Sequence, residues 1–143
     1  MYNAYIIGNG FSINVVNMLI EKKLIDKEAI DLKNLFSQGD VVPCPDGTRG
    51  YLSAQYCPFL WNIGARSYVE SSESTRIISN IICSYNVYQS IAKQDDKAVI
   101  EDCQKGYFEL NRYLRNLFAY YNSLISGRLS RIFLNESSLI RLL

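Results

Sequence analysis

An apolar pattern in the second half of the chain constrains the fold more than any other feature of the sequence. Apolar side chains recur there every three or four residues, at Tyr107, Leu110, Leu114, Leu117, Phe118, Tyr121, Leu124 and Ile125, and Gly127 follows them. Spacing of this kind places the apolar side chains on one face of an α-helix. The pattern therefore predicts a helix of about twenty residues that buries this face and ends at Gly127.

Shorter patterns of the same kind predict further helices. Serine and aspartate are favoured at the N-cap of a helix, because their side chains accept hydrogen bonds from its first N–H groups. Such residues precede three apolar stripes, namely Ser12, Asp26 and Ser71 or Ser72. The helix after Asp26 is predicted to end at Gly39, and a final apolar segment lies within residues 129–143.

One segment near the start is typical of a β-strand. Residues 2–7 end in a continuous apolar run that Gly8 stops, as in a strand buried on both faces of a parallel sheet. A lone strand cannot satisfy its own hydrogen-bond ladder. Either its partners follow Leu143 in a longer protein, or the segment belongs to a mostly helical body. We expect the first alternative: a predominantly helical α/β fold with an incomplete sheet, in which residues 1–143 are one domain or the N-terminal part of one.

Residues 40–64 are predicted to form an ordered excursion from this body. All three prolines and several glycines lie in or beside this stretch, which is typical of turns. Apolar pairs at residues 41–42 and 51–52 flank a turn signal at residues 46–47 and are placed to form a small hairpin. The large apolar residues at 59–61 are expected to hold the excursion against the body.

Composition excludes several classes of protein. The chain is 48% apolar with a net charge of +1, which excludes a disordered chain and gives no basic field for nucleic acid. No apolar stretch approaches the ~18 residues of a membrane span, and the first residues do not have the pattern of a secretion signal. We therefore expect a cytoplasmic protein without membrane or nucleic-acid partners.

The four cysteines predict reduced thiols and no metal site. They are Cys44, Cys57, Cys83 and Cys103, without a CxxC pair, and the chain has no histidine. Zinc would then need all four thiolates or added carboxylates, at unfavourable spacing. We expect Cys83 and Cys103 to be buried on helices as small apolar residues.

The order strand, Gly-x-Gly, helix around Gly8, Asn9 and Gly10 is an arrangement that binds anions. Glycines let a phosphate approach the backbone, and the N–H groups at a helix N-terminus favour negative charge. Asn9 and Ser12 either face a ribose or phosphate or serve turn geometry and helix capping. Because Ile13 replaces the third glycine of the GxGxxG fingerprint, a tight turn that only packs is an equal alternative.

Residues 4–12, AYIIGNGFS, resemble the N-terminal GNGF[DS] signature of AbiH-type abortive-infection proteins and their sirtuin-like relatives. The resemblance implies a Rossmann-like N-terminal strand-turn-helix followed by a large helical insertion. It also implies NAD-hydrolase-like activity in bacterial anti-phage defence. The NAD would be held by Gly8, Asn9, Gly10, Phe11 and Ser12. No catalytic residue is identified, because the histidine associated with sirtuin-like cleavage is missing from this chain.

A second hypothesis treats the chain as a mainly helical protein-interaction module without catalytic activity. Aromatic residues recur in the helical patterns at residues 85–88 and 107–121, and tyrosine is enriched in binding hot spots. Besides the nucleotide of the first hypothesis, we expect a protein partner or a homo-oligomer.

Overall fold

The computed structural model describes the backbone of residues 9–26, 29–91 and 97–135, and most side chains within these ranges. The helices of this part are α1 (Asn9–Glu21), α2 (Pro58–Asn62), α3 (Ser71–Ile91) and α4 (Lys97–Asn135). Turns and irregular segments account for the other described residues, which contain no β-strand.

The predicted α/β, Rossmann-like fold is wrong for the described part of the chain, which is mostly helical and has no sheet. The strand predicted at residues 2–7 lies outside the described residues. No partner strand exists for it among the described residues, because these are committed to helices and turns. The fold class was inferred from this one short run, and a short apolar run does not by itself predict a sheet in the rest of the chain.

The chain divides into two compact units. The first comprises Met1–Leu32 and Tyr121–Leu143, and the second comprises Lys33–Tyr120. The described buried apolar residues of the first unit are Val16, Leu19, Ile25, Ile30 and Tyr121. The Tyr121 hydroxyl accepts a hydrogen bond from the N–H of Asp31 and donates one to its carbonyl, each at 3.2 Å.

The core of the second unit joins one face of α3, one face of α4 and the loop that precedes α3. Its main members are Ile77 and Ile81 of α3, Leu110, Tyr113 and Leu117 of α4, and Phe36, Val42, Tyr51, Leu52 and Leu60 before α3. Tyr113 is fully buried, its ring centroid lies 5.8 Å from that of Phe36, and its hydroxyl donates to the Leu35 carbonyl at 2.7 Å. Its polar end is therefore satisfied inside the core.

Helix α3 begins at Ser71, as predicted, whereas α4 is longer than predicted. It begins at Lys97 and continues through Gly127 to Asn135. Upstream of Tyr107, Cys103 and Gly106 continue the helical spacing, but their small side chains conceal the pattern. Downstream, a single glycine costs a helix only about 1 kcal/mol relative to alanine, which does not end it.

The helix predicted between Asp26 and Gly39 is also wrong, because residues 29–39 form turns and bends. Asn34 supplies the physical reason. Its buried side chain donates to the Val69 carbonyl at 2.8 Å and accepts from the Ser74 hydroxyl at 2.6 Å and the Phe36 N–H at 3.2 Å. Side-chain bonds of this kind compete with the backbone bonds of a helix.

Asp46 organises a turn within residues 40–64. Its Oδ1 accepts from the Thr48 hydroxyl at 2.7 Å and the Thr48 N–H at 3.0 Å, and its Oδ2 accepts from the Tyr56 hydroxyl at 2.5 Å. These bonds lower the pKa of Asp46 from 3.8 to about 2, and the bond to Asp46 raises the pKa of Tyr56 to about 12. An isolated β-bridge between Pro43 and Arg49 flanks the turn, in place of the paired strands of a hairpin.

Candidate functional site

The residues predicted to bind a nucleotide lie at the beginning of α1. Because α1 begins at Asn9, the backbone of Asn9, Gly10, Phe11 and Ser12 forms its first turn, and Ser12 does not stand at the N-cap. Gly8 and the side chains of these four residues lie outside the described part of the structure. NAD binding at these residues therefore stays a prediction.

The second unit carries two cavities that share one wall. The first, which we call the α3–α4 groove, has a volume of about 280 Å³. Its lining is mostly apolar and comprises Phe59 and Ile63, then Arg76, Ile77, Asn80, Ile81 and Ser84 of α3, and Val99, Asp102, Cys103 and Gly106 of α4. Concave surfaces that are mainly apolar, with a few polar groups, are typical binding sites for ligands and peptide segments.

The second cavity, which we call the Phe108 basin, has a volume of about 500 Å³. It lies between α2 and α4 and is lined by Pro58, Phe59, Asn62, Lys105, Phe108, Glu109 and Arg112. Phe59 thus borders both cavities. Together the α3–α4 groove and the Phe108 basin form one concave surface with exposed apolar walls, which we call the docking face.

Phe59 is positioned by a close approach to the backbone of α4. A Cβ atom placed on Gly106 would lie 2.5 Å from Cε1 of the Phe59 ring, well inside van der Waals contact. Only glycine leaves this space on the helix surface. The ring is therefore seated on α4 at Gly106, where it forms the shared wall.

Helix α2 is held at both ends by side chains outside it. The Glu109 carboxylate of α4 accepts hydrogen bonds from the Phe59 N–H at 3.1 Å and the Leu60 N–H at 2.7 Å. At the other end, Arg66 donates to the Trp61 carbonyl at 2.7 Å and stacks 3.4 Å from the centre of the Trp61 ring. An acid at the N-terminus and a base at the C-terminus both complement the helix dipole. These contacts fix a helix too short to be stable alone.

Aromatic side chains border the docking face. The rings of Tyr85 and Tyr107 stack with centroids 3.9 Å apart, and Phe108 meets Tyr85 edge to face at 6.5 Å. Phe108 is nevertheless 61% exposed, and Ile63 and Val99 are also exposed at the cavities. Large aromatic side chains left in water beside a cavity are typical of interaction sites.

The charged residues are distributed unevenly between the two cavities. In the α3–α4 groove, Arg76 is paired with Glu73 on α3, and this contact lowers the pKa of Glu73. In the Phe108 basin, the carboxylate of Glu109 is directed to the backbone of α2, and Arg112 donates to the Tyr56 carbonyl. No hydrogen bond or ion pair joins the ammonium group of Lys105 to another residue in the described ranges.

The burial of the cysteines differs from the prediction for Cys83 and Cys103. Cys44 and Cys57 are buried, Cys83 is exposed, and Cys103 is half-buried in the α3–α4 groove; all four are free thiols. Burial raises the pKa of the Cys57 thiol to about 12, with a smaller contribution from the Glu109 carboxylate. The predicted burial of Cys83 was wrong, because Cys83 lies two residues after the buried Ile81 and therefore off the buried face of α3, and Cys103 is only half-buried.

The described residues contain no group of three or more His, Cys, Asp or Glu side chains arranged to hold a metal ion. Within the same ranges, the helices lack the combination of length and apolar character that a membrane crossing requires.

Sequence reasoning did not find the docking face. It identified the aromatic residues of α3 and α4 as a partner surface, but not Phe59, Glu109 or Lys105. Glu109 and α2 are about fifty residues apart in sequence, and no local pattern predicts such a contact. Gly106, a glycine inside a helix, was the one available signal of a close approach.

Comparisons of the chain with protein-family models, with curated proteins and with solved structures give no match.

Proposed function

We propose that this chain is a helical protein-interaction module, and that its docking face binds an apolar segment of a partner protein. The observation that carries the proposal is the exposure of Phe108, 61% of which is open to solvent beside a cavity of about 500 Å³. A helix-in-groove complex would cover this ring and the apolar lining of the α3–α4 groove.

The rigidity of the docking face supports the proposal. Glu109 and Arg66 fix α2 at both ends, and Gly106 seats the Phe59 ring on α4. A preformed surface loses less conformational entropy on binding than one that must first be ordered. The apolar walls are therefore held in place before a partner arrives.

Selection of peptides from a displayed helical library against the intact chain tests this function. We expect enriched peptides to perturb the NMR resonances of α2, α3 and the middle of α4. Phe108→Ala should weaken their binding by at least tenfold, as expected for a buried aromatic hot spot. The matched control is Phe118→Ala, which removes an aromatic ring that is 45% exposed on the same helix and lines neither cavity.

Equal losses for the two variants, or selected peptides that bind elsewhere, would overturn the proposal. Phe108 is mostly exposed, so its removal is expected to leave the fold intact, which circular dichroism and the unfolding midpoint check.

A second proposal comes from the sequence: a nucleotide, NAD foremost, binds at Gly8, Asn9, Gly10, Phe11 and Ser12. The observation in its favour is that α1 begins at Asn9, since the first N–H groups of a helix have no partner within it. Calorimetric titration with NAD and ADP-ribose tests it, with Gly10→Val as the variant that should block approach of a phosphate. Absence of binding to the wild-type chain would remove the proposal and, with it, the basis for a role in NAD depletion during anti-phage defence.

A further inference from the structure

We propose that the partner segment is acidic. Two of its carboxylates pair with Lys105 and Arg112, and an apolar side chain between these carboxylates covers Phe108. This inference rests on the proposed function, because it specifies the chemistry of the occupant of the docking face. The occupant is an amphipathic helix of another protein.

The spacing of the two cations, Lys105 and Arg112, along α4 is the first argument for an acidic partner. Lys105, Phe108 and Arg112 are separated by three and four residues, so they lie along one face of the helix and all line the Phe108 basin. Seven residues of helix span about 10 Å. A carboxylate pair at a similar separation on a partner helix, with an apolar residue between them, matches this order of positive, aromatic and positive groups.

The availability of these cations carries the second step. The side-chain ammonium of Lys105 has no hydrogen-bonding or ionic partner among the described residues. Arg112 donates to the Tyr56 carbonyl, which orients the guanidinium while its other N–H groups can donate to a carboxylate. Each cation therefore has capacity for an anionic partner.

The position of the opposing charge carries the third step. Glu109 is the one acidic residue that lines the Phe108 basin, and both of its carboxylate oxygens accept hydrogen bonds from the backbone of α2. Its charge is thus partly balanced by the N-terminus of that helix. The basin consequently presents a positive rim around an apolar centre.

The charges that line the α3–α4 groove differ from those that line the Phe108 basin. This difference indicates which part of the bound helix each cavity takes. Arg76 is already paired with Glu73, and Asp102 adds a negative charge to the lining. Apolar side chains of the partner suit the groove, whereas its carboxylates suit the basin. This polarity favours one orientation of the bound helix.

The test is a displayed library of helical peptides of about sixteen residues, which is enough for four turns. The library is randomised equally for acidic, neutral and basic residues and selected against the intact chain. We expect enriched peptides to carry aspartate or glutamate on both sides of a large apolar residue. Their affinity should fall when the ionic strength rises from about 0.05 M to about 0.5 M.

A charge reversal on the chain makes the test specific. Lys105→Glu should lower the affinity for an enriched acidic peptide by about fivefold or more. A peptide in which the facing carboxylate is changed to lysine should bind this variant with recovered affinity. Lys97→Glu is the matched control, because Lys97 is an exposed lysine of α4 that lines neither cavity. It should change the affinity by less than about twofold.

The outcomes separate this inference from the proposed function. The inference of an acidic partner would be overturned if neutral or basic peptides bound the docking face, or if Lys105→Glu and Lys97→Glu changed the affinity equally. Either result would still support the proposed interaction module. Failure to select any peptide for the docking face would overturn both. Sedimentation of the chain alone tests the remaining outcome. If the chain forms a dimer that Phe108→Ala dissociates, the occupant of the docking face is a second copy of the chain and the acidic helix is overturned.

Discussion

Gly106 of α4 lies directly beneath the ring of Phe59, and a methyl group at Gly106 would come 2.5 Å from Cε1 of that ring. This contact explains a glycine inside a helix, where alanine would be favoured by about 1 kcal/mol. It also places the one side chain that borders both cavities of the docking face.

Gly106→Ala should destabilise the protein by about 1 kcal/mol, because displacement of the Phe59 ring outweighs the gain in helix propensity. Urea unfolding followed by circular dichroism measures the change. In a Phe59→Ala background the clash is gone, so the same substitution should instead stabilise by up to about 1 kcal/mol. A stabilising effect of Gly106→Ala in the wild-type chain would contradict the contact.

Glu109→Ala should cost about 1–3 kcal/mol, since it leaves the N–H groups of Phe59 and Leu60 without their acceptor. Glu109→Gln keeps one acceptor oxygen and should lie between the wild type and the alanine variant. Glu101→Ala is the control, as an exposed acidic residue elsewhere on α4. Denaturant unfolding gives the free energies, and equal values for Glu109→Ala and Glu101→Ala would exclude the remote cap of α2.

Asp46 should make the stability of the chain depend on acid pH. Bonds from Thr48 and Tyr56 lower the pKa of its folded-state carboxyl to about 2, against 3.8 for the ordinary value. A lowered folded-state pKa contributes stability above the unfolded pKa, and this contribution is lost as the pH falls through about 2. The difference in unfolding free energy between the wild type and Asp46→Asn should therefore be larger at about pH 5 than at about pH 2. A difference that is constant over this range would show that the bonds to Asp46 do not form.

The four thiols should react at very different rates with N-ethylmaleimide. Cys83 is exposed and should react first, whereas Cys57 is buried and its pKa is raised to about 12. At pH 8 the Cys57 thiol would therefore be almost entirely protonated, and the thiolate is the form that reacts. Mass spectrometry of timed samples checks the order, with the urea-unfolded chain, in which all four react, as the control. Modification of Cys57 as fast as Cys83 would contradict its burial.

The sequence predicted those elements whose cause is local. The start of α3 at Ser71 and the apolar face of α4 were predicted from residue types and helical spacing, which need only neighbouring residues, although the Ser71 hydroxyl donates to the Lys33 carbonyl and does not cap the helix. The helix predicted after Asp26 failed because Asn34 makes bonds to Val69 and Ser74, residues far along the chain. The predicted strand, and the α/β fold inferred from it, relied on a run of six residues that has no partner strand in the described structure.

The candidate site was predictable only in part, for the same reason. The aromatic residues of α3 and α4 are visible as a periodic pattern, and the hypothesis of a helical interaction module drew on them. The shape of the docking face depends on where α2 rests on α4, which is decided by Glu109 and Gly106 through contacts about fifty residues apart. Single-sequence patterns do not carry such pairings.

The position of the Phe59 ring between the α3–α4 groove and the Phe108 basin has a thermodynamic consequence. The Phe59 ring borders both cavities and is seated on α4 at Gly106, so a bound side chain that displaced the ring from one cavity would move it into the other. Linkage of this kind is reciprocal. The parts of a bound helix that occupy the groove and the basin would then affect each other's affinity through this ring.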